Sequence, residues 1–91
     1  ATPLTAAEAE LLRDLMRGVV ESGTSTFLGD VPGEPVHAKS GTAQYGTDEV
    51  LTNAWMIAFQ GDLAVAVLVE EGEFGTETAG PILEAFLRSV P

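Results

Sequence analysis

Near the start of the chain, apolar residues recur at helical spacing. Leu11, Leu12, Leu15, Met16, Val19 and Val20 fall on one stripe of a 3.6-residue turn. Just upstream, Thr5-Ala6-Ala7-Glu8 places a hydroxyl three residues before a carboxylate. This is a capping box, in which each side chain satisfies a backbone N–H that the helix leaves unpaired. Gly23 is a suitable terminator. The spacing predicts a helix over residues 5–22. Residues 23–35 are rich in Gly, Pro, Ser and Thr and read as a loop, with Phe27 and Leu28 tucked back toward a core.

The period then shortens. Residues 36–43 and 54–60 read as strands, separated by a connecting loop over 45–53 that contains Gly46, Asp48 and Asn53. Gln60-Gly61-Asp62 is a turn signal, and 63–70 reads as a third strand with Val65, Val67 and Val69 on one face. The last two strands form a tight antiparallel hairpin. Residues 70–75 are acidic and glycine-rich, hence a loop. Ile82, Leu83, Phe86, Leu87 and Val90 repeat the helical stripe, predicting a helix over 77–89 with Pro81 in its first turn. The order predicts an α+β domain: an antiparallel three-stranded meander flanked by an N-terminal and a C-terminal helix laid on its faces.

Composition narrows the function. The 91 residues suffice for one core, and 45% hydrophobic with 20% charged residues describes a globular chain. Four Lys+Arg against fourteen Asp+Glu give a net charge of −10, which argues against a nucleic-acid partner. Without cysteine there is no disulfide framework, thiolate metal site or cysteine nucleophile, and one histidine excludes a His-x-x-x-His pair. Asp48-Glu49 and Glu70-Glu71 read as solvated loop residues, because hard metals need more converging oxygens. No metal or cofactor is implied. The longest apolar run, Leu63–Val69, is far below the roughly 20 residues of a membrane span. The chain opens on Ala1 without a methionine, which suggests a piece of a larger polypeptide.

Candidate chemistry centres on the only lysine, in Lys39-Ser40-Gly41-Thr42-Ala43-Gln44. A cation, two hydroxyls and a glycine on one strand make an anion-binding edge. The competing reading is a solvated edge strand on which lysine blunts aggregation. The run Val36-His37-Ala38-Lys39-Ser40-Gly41-Thr42-Ala43-Gln44 resembles the Lys-Thr/Ser-Gly motif of penicillin-binding proteins. Further blocks follow in the family's order. Ala54-Trp55-Met56-Ile57-Ala58-Phe59 resembles the next strand, Leu63–Glu70 the one after, and Ala79-Gly80-Pro81-Ile82 the start of the last helix. Upstream, Leu12-Arg13-Asp14-Leu15-Met16, Val19-Val20 and Gly23-Thr24 resemble the helix and turn before the motif strand. The resemblance covers nearly the whole chain, and Gly41-Thr42-Ala43-Gln44 suits the monofunctional (class B) branch.

The resemblance implies the C-terminal part of a β-lactamase/transpeptidase-like fold. It implies a D-Ala-D-Ala transpeptidase that cross-links peptidoglycan through a serine acyl-enzyme, on the extracytoplasmic face of the bacterial membrane. The implied partners are the peptidoglycan stem peptide, β-lactam antibiotics and the remainder of the transpeptidase domain. It further implies that the Thr42 backbone amide is one oxyanion donor. Ser40, Gly41 and Thr42 would bind substrate, the two hydroxyls holding its carboxylate, and Lys39 would supply positive potential and aid a proton relay. The chain departs from the family in lacking Ser-x-x-Lys and Ser-x-Asn: Val36 stands where the first serine of a Lys39-terminated copy would be, and none of Ser22, Ser25, Ser40 and Ser89 has asparagine two residues on. The nucleophile is therefore expected outside this segment, which alone should be inactive. Part of its apolar surface should face the missing half.

The alternatives are a serine β-lactamase or β-lactam sensor and, from a different class, a non-catalytic acidic interaction module. His37 has no identifiable companion acid or nucleophile and is not assigned to catalysis, while Trp55 and Phe59 share strand parity and read as core. Lys39 and Ser40 alternate to opposite faces, so both can serve one ligand only along the edge of the strand.

Overall fold

The computed structural model describes residues 2–45, 51–70 and 75–90. The first helix, α1 (Ala6–Glu21), begins as its sequence dictates. Thr5 Oγ1 accepts from the Glu8 N–H at 3.1 Å, and the Glu8 carboxylate accepts from the Thr5 N–H at 2.9 Å. Those bonds hold the Glu8 carboxyl below the usual carboxylate range, the backbone bond contributing most. Only Met16 and Val20 of the apolar stripe are buried; Leu11, Leu12 and Leu15 lie exposed. A short 3-10 turn, Thr26–Leu28, interrupts the following loop and buries Leu28, with Phe27 packed beside the core.

Three strands follow: β1 (Val36–Tyr45), β2 (Leu51–Gln60) and β3 (Leu63–Val69). They form one antiparallel sheet in the order β1-β2-β3, so β1 lies at an edge. Val36 pairs with Gln60 and Tyr45 with Leu51, while Ala54 pairs with Val69 and Gln60 with Leu63. The two-residue turn at Gly61-Asp62 uses a left-handed glycine, with φ of 60° at Gly61. The expected loop over 45–53 is corrected at both ends, since Tyr45 and Leu51–Asn53 belong to strands. Pairing of Ala43 with Asn53 and of Gln44 with Thr52 extends the ladder through Ala43 and Asn53, residues of poor strand propensity. Residues 46–50 and 71–74, with the carboxylates of Asp48, Glu49 and Glu71, lie outside the described residues.

The C-terminal helix starts within the range expected for it, but a further helical turn precedes it. A π turn, Gly75–Ala79, leads directly into α2 (Gly80–Ser89). Pro81 lacks an N–H and its ring crowds the carbonyl four residues back, so a widened turn upstream of it accommodates both. One sheet face carries the core. Val36, Ala38, Met56 and Ala58 are buried there against Val20, Leu28, Val31, Ala79, Leu83 and Leu87. Along β3, Leu63, Val65, Val67 and Val69 pack on the same cluster while the residues between them are exposed.

Two side-chain clamps close the molecule around this core. Gln60 Nε2 donates to the carbonyls of Pro32 (2.8 Å) and Glu34 (2.9 Å), tying the loop to the end of β2. Arg88 on α2 bridges Asp30 (2.7 Å) and Glu84 (2.8 Å). The hydrogen bond from Arg88, aided by its charge, holds the Asp30 carboxyl below its ordinary range. The Asp30 contribution is thus present above the unfolded-state pKa and is lost as pH falls through the lower folded value. Thermal midpoints of the parent and Asp30→Asn should differ slightly near neutrality and converge in acid. A gap that persists in acid would contradict the ion pair. Ser25 is fully buried, and its hydroxyl finds no partner among the described residues. Ser25→Ala should raise unfolding stability by about 1 kcal/mol in urea titrations, and a loss would reveal a partner.

Candidate functional site

The polar groups of β1 sort by parity. In an antiparallel strand, N–H and C=O groups of alternate residues point to the neighbour, and those of the residues between point away. Arg17 Nη1 donates to the Val36 carbonyl at 2.6 Å, and Lys39 Nζ donates to the Ser40 carbonyl at 2.6 Å. Both carbonyls belong to even-numbered residues and are engaged from outside the sheet. The N–H and C=O of Thr42 therefore project from the open edge, whereas Gly41 faces Trp55 across the ladder.

This parity accounts for how Lys39 and Ser40 can act together. The Lys39 side chain starts on the face opposite that of Ser40, yet its ammonium curls round to the Ser40 carbonyl. The charge is thereby delivered to the same edge. Lys39 and Thr42 are exposed, and Ser40 and Gly41 half-buried. The arginines are committed elsewhere: Arg17 to Val36, Arg88 to Asp30 and Glu84, and Arg13 over the Phe59 ring at 5.6 Å. Lys39 has no ion-pair partner among the described residues. Against a net charge of −10, its cation stands on an otherwise uncharged stretch of strand.

The hydroxyl of Thr42 is held by the π turn. Its Oγ1 accepts the Gly75 N–H at 3.2 Å, which leaves its own hydrogen free to be donated. Gly75 itself is pressed onto the sheet. A Cβ there would stand 2.5 Å from the Gly41 carbonyl oxygen, 2.6 Å from that of Trp55 and 2.9 Å from the Gly41 nitrogen. On the opposite face the Trp55 indole covers Gly41, and a Cβ at Gly41 would overlap the ring. An aromatic residue across from a strand glycine restores the packing that the missing side chain forfeits. Trp55 is therefore not part of the buried cluster that strand parity suggested, and neither is Phe59. Phe59 stacks on His37 with ring centroids 4.4 Å apart. His37 lies five residues from Thr42, about 17 Å along an extended strand, so it takes no part in chemistry at that edge.

Sequence reasoning brought out Lys39, Ser40, Gly41 and Thr42 but missed Gly75. One glycine in an acidic, glycine-rich stretch carries no local signal of where it will land. The second face of the sheet is apolar and incompletely covered: Leu12, Met16, Ile57, Phe59, Ala64 and Ala66 line a groove of about 490 Å³. Leu68 on the same face is 61% exposed. Among the described residues no group of three or more His, Cys, Asp or Glu side chains could hold a metal ion.

Residues 1–88 match the family model of the penicillin binding protein transpeptidase domain. The chain is similar to the peptidoglycan D,D-transpeptidase PbpA of Mycobacterium tuberculosis, in each of two strains, with 43% identity over 83 residues. The match covers 85% of this chain and 16% of the relative, so the chain spans about one-sixth of the length of these curated proteins. No solved structure matches it. The contact between Gly41 and Trp55 generates a prediction of its own. Gly41→Ala should destabilise the fold by about 1–3 kcal/mol through overpacking. Trp55→Ala should relieve that cost, so the double variant should unfold at a higher urea concentration than the summed single effects imply. Strict additivity would contradict the contact.

Proposed function

Because this chain belongs to the penicillin-binding-protein transpeptidase family, we propose that it supplies the substrate-binding edge strand of a D,D-transpeptidase. The whole enzyme cross-links peptidoglycan stem peptides at the outer face of the bacterial membrane and is acylated by β-lactams. The chain forms the C-terminal part of the transpeptidase domain. The nucleophilic serine and the Ser-x-Asn serine belong to the remainder of that domain, which also covers the apolar second face of the sheet. The parent protein is anchored by a segment outside these 91 residues; no helix among the described residues is long and apolar enough to cross a membrane.

The observation that carries the reading is the open edge of β1, with the Lys39 ammonium on the Ser40 carbonyl, the Thr42 N–H turned away from β2 and the Thr42 hydroxyl oxygen engaged by the Gly75 N–H. Attack of a serine oxygen on the terminal D-Ala-D-Ala amide, or on a β-lactam ring, moves an electron pair onto the carbonyl oxygen. A fixed amide donor lowers the energy of that oxyanion, and the Thr42 N–H serves as one such donor beside the amide of the nucleophilic serine. The Ser40 and Thr42 hydroxyls hold the terminal carboxylate. Lys39 adds positive potential along the strand and supports proton transfer to the leaving amine through the Ser-x-Asn serine. The 91-residue chain alone has the receiving edge without the attacking group, and is inactive.

Labelling of the whole protein with a fluorescent penicillin tests the assignment. Covalent labelling is expected, and Lys39→Ala should slow it by about 100-fold, the lower end of what a proton-transfer group contributes, while leaving the melting temperature within a few degrees. The isolated 91-residue chain should take no label. Absence of an adduct on the whole protein would overturn the assignment, and a labelled serine in the isolated chain would overturn the division of labour.

A further inference from the structure

An edge strand has a neighbour on one side only, so an amide projecting from its open side is free to tilt. Preorganised donors act in catalysis only when they are held in the direction in which charge develops. We propose that Gly75 and Trp55 are positioning residues that grip the Gly41–Thr42 peptide from opposite faces of the sheet. In the same grip, the Gly75 N–H turns the Thr42 hydroxyl outward as a donor to the substrate carboxylate. The inference rests on the proposed substrate-binding role of this edge and adds what holds it in place.

Three observations carry it. First, the π turn reaches the sheet at backbone distance, with the site of a Gly75 Cβ only 2.5–2.9 Å from three backbone atoms of the Gly41·Trp55 pair. Backbone atoms cannot swing aside as a flexible side chain does, so only glycine fits. Second, the Trp55 indole closes the other face over Gly41, leaving no room for a Cβ there either. Third, the bond from Gly75 to Thr42 has a direction. An oxygen that accepts a backbone N–H at 3.2 Å keeps its hydrogen to give away, and Thr42 is exposed at the edge where a ligand would take it. Donation into such a chain is polarised and strengthened by the bond behind it.

The test uses the whole protein and two acyl donors, a penicillin with its free carboxylate and the same penicillin as its methyl ester. The parent should be acylated faster by the acid. Gly75→Ala should slow acylation by the acid about 10–100-fold, the scale of a displacement near 1 Å. It should also cut the acid-over-ester preference, whereas general destabilisation lowers both rates alike. Thr42→Ala should reduce the preference, with no further reduction on adding Gly75→Ala, and Thr42→Ser should retain it. Hydrogen exchange over residues 39–43 should rise in Gly75→Ala while that of residues 63–69 stays unchanged. Trp55→Phe, which thins the opposite jaw, should raise exchange in the same segment and covers the case that Gly75→Ala does not fold. If preference and exchange both stay at parent values, the grip is refuted even though acylation persists. If the parent is not acylated at all, the functional reading fails, and local exchange alone then decides whether the grip stands.

Discussion

Three segments of the chain meet at backbone distance on one cross-strand pair, Gly41 opposite Trp55. From one face the π turn sets Gly75 against the peptide groups of both residues; from the other the Trp55 indole lies over Gly41. Much of the fold depends on that close approach. It fixes where the C-terminal segment lands on the sheet, and so where Ala79, Leu83 and Leu87 enter the core. The same approach places the proposed oxyanion amide of Thr42 next to backbone that leaves no room for a Cβ. Two glycines far apart in sequence are required here for one reason, the absence of room for a Cβ.

The helices and strands were legible wherever a local rule sufficed. The Thr5–Glu8 box placed the start of α1 because both partners lie within one turn. The alternation of Leu63, Val65, Val67 and Val69 against Ala64, Ala66 and Leu68 identified the covered face of β3. What escaped was set by partners distant in sequence. Asn53 sits in a strand because Ala43 pairs with it, and Trp55 lies off the core because the register gives the core face to Ala54 and Met56. The π turn ahead of the last helix brings Gly75 onto Gly41 and Thr42, more than 30 positions upstream. In the candidate site, Lys39, Ser40 and Thr42 stood out as residue types in order. Their convergence on an edge could be expected from strand parity, but the curl of the Lys39 ammonium onto the Ser40 carbonyl could not.

The apolar stripe of α1 shows where physics and sequence pattern part company. Leu11, Leu12 and Leu15 have helical spacing suited to burial, yet each is about half exposed or more, as are Ile82 and Leu68 elsewhere. Apolar area of this extent tends to mark an interaction surface. The part of it around Leu12 and Leu68 suits the proposed division of labour, in which the remainder of the transpeptidase domain packs on the second face of the sheet. The open edge of β1 and this bare face are then two sides of one design, an edge strand presented to a cleft whose other wall comes from elsewhere.

The most direct measurement is a crystal structure of the whole protein acylated by a penicillin. The account predicts the acyl carbonyl oxygen within about 2.7–3.1 Å of the Thr42 nitrogen, with the drug carboxylate on the Ser40 and Thr42 hydroxyls and the Gly75 N–H still on Thr42 Oγ1. An acyl group whose carbonyl oxygen points away from β1, or whose carboxylate is held by other residues, would contradict it.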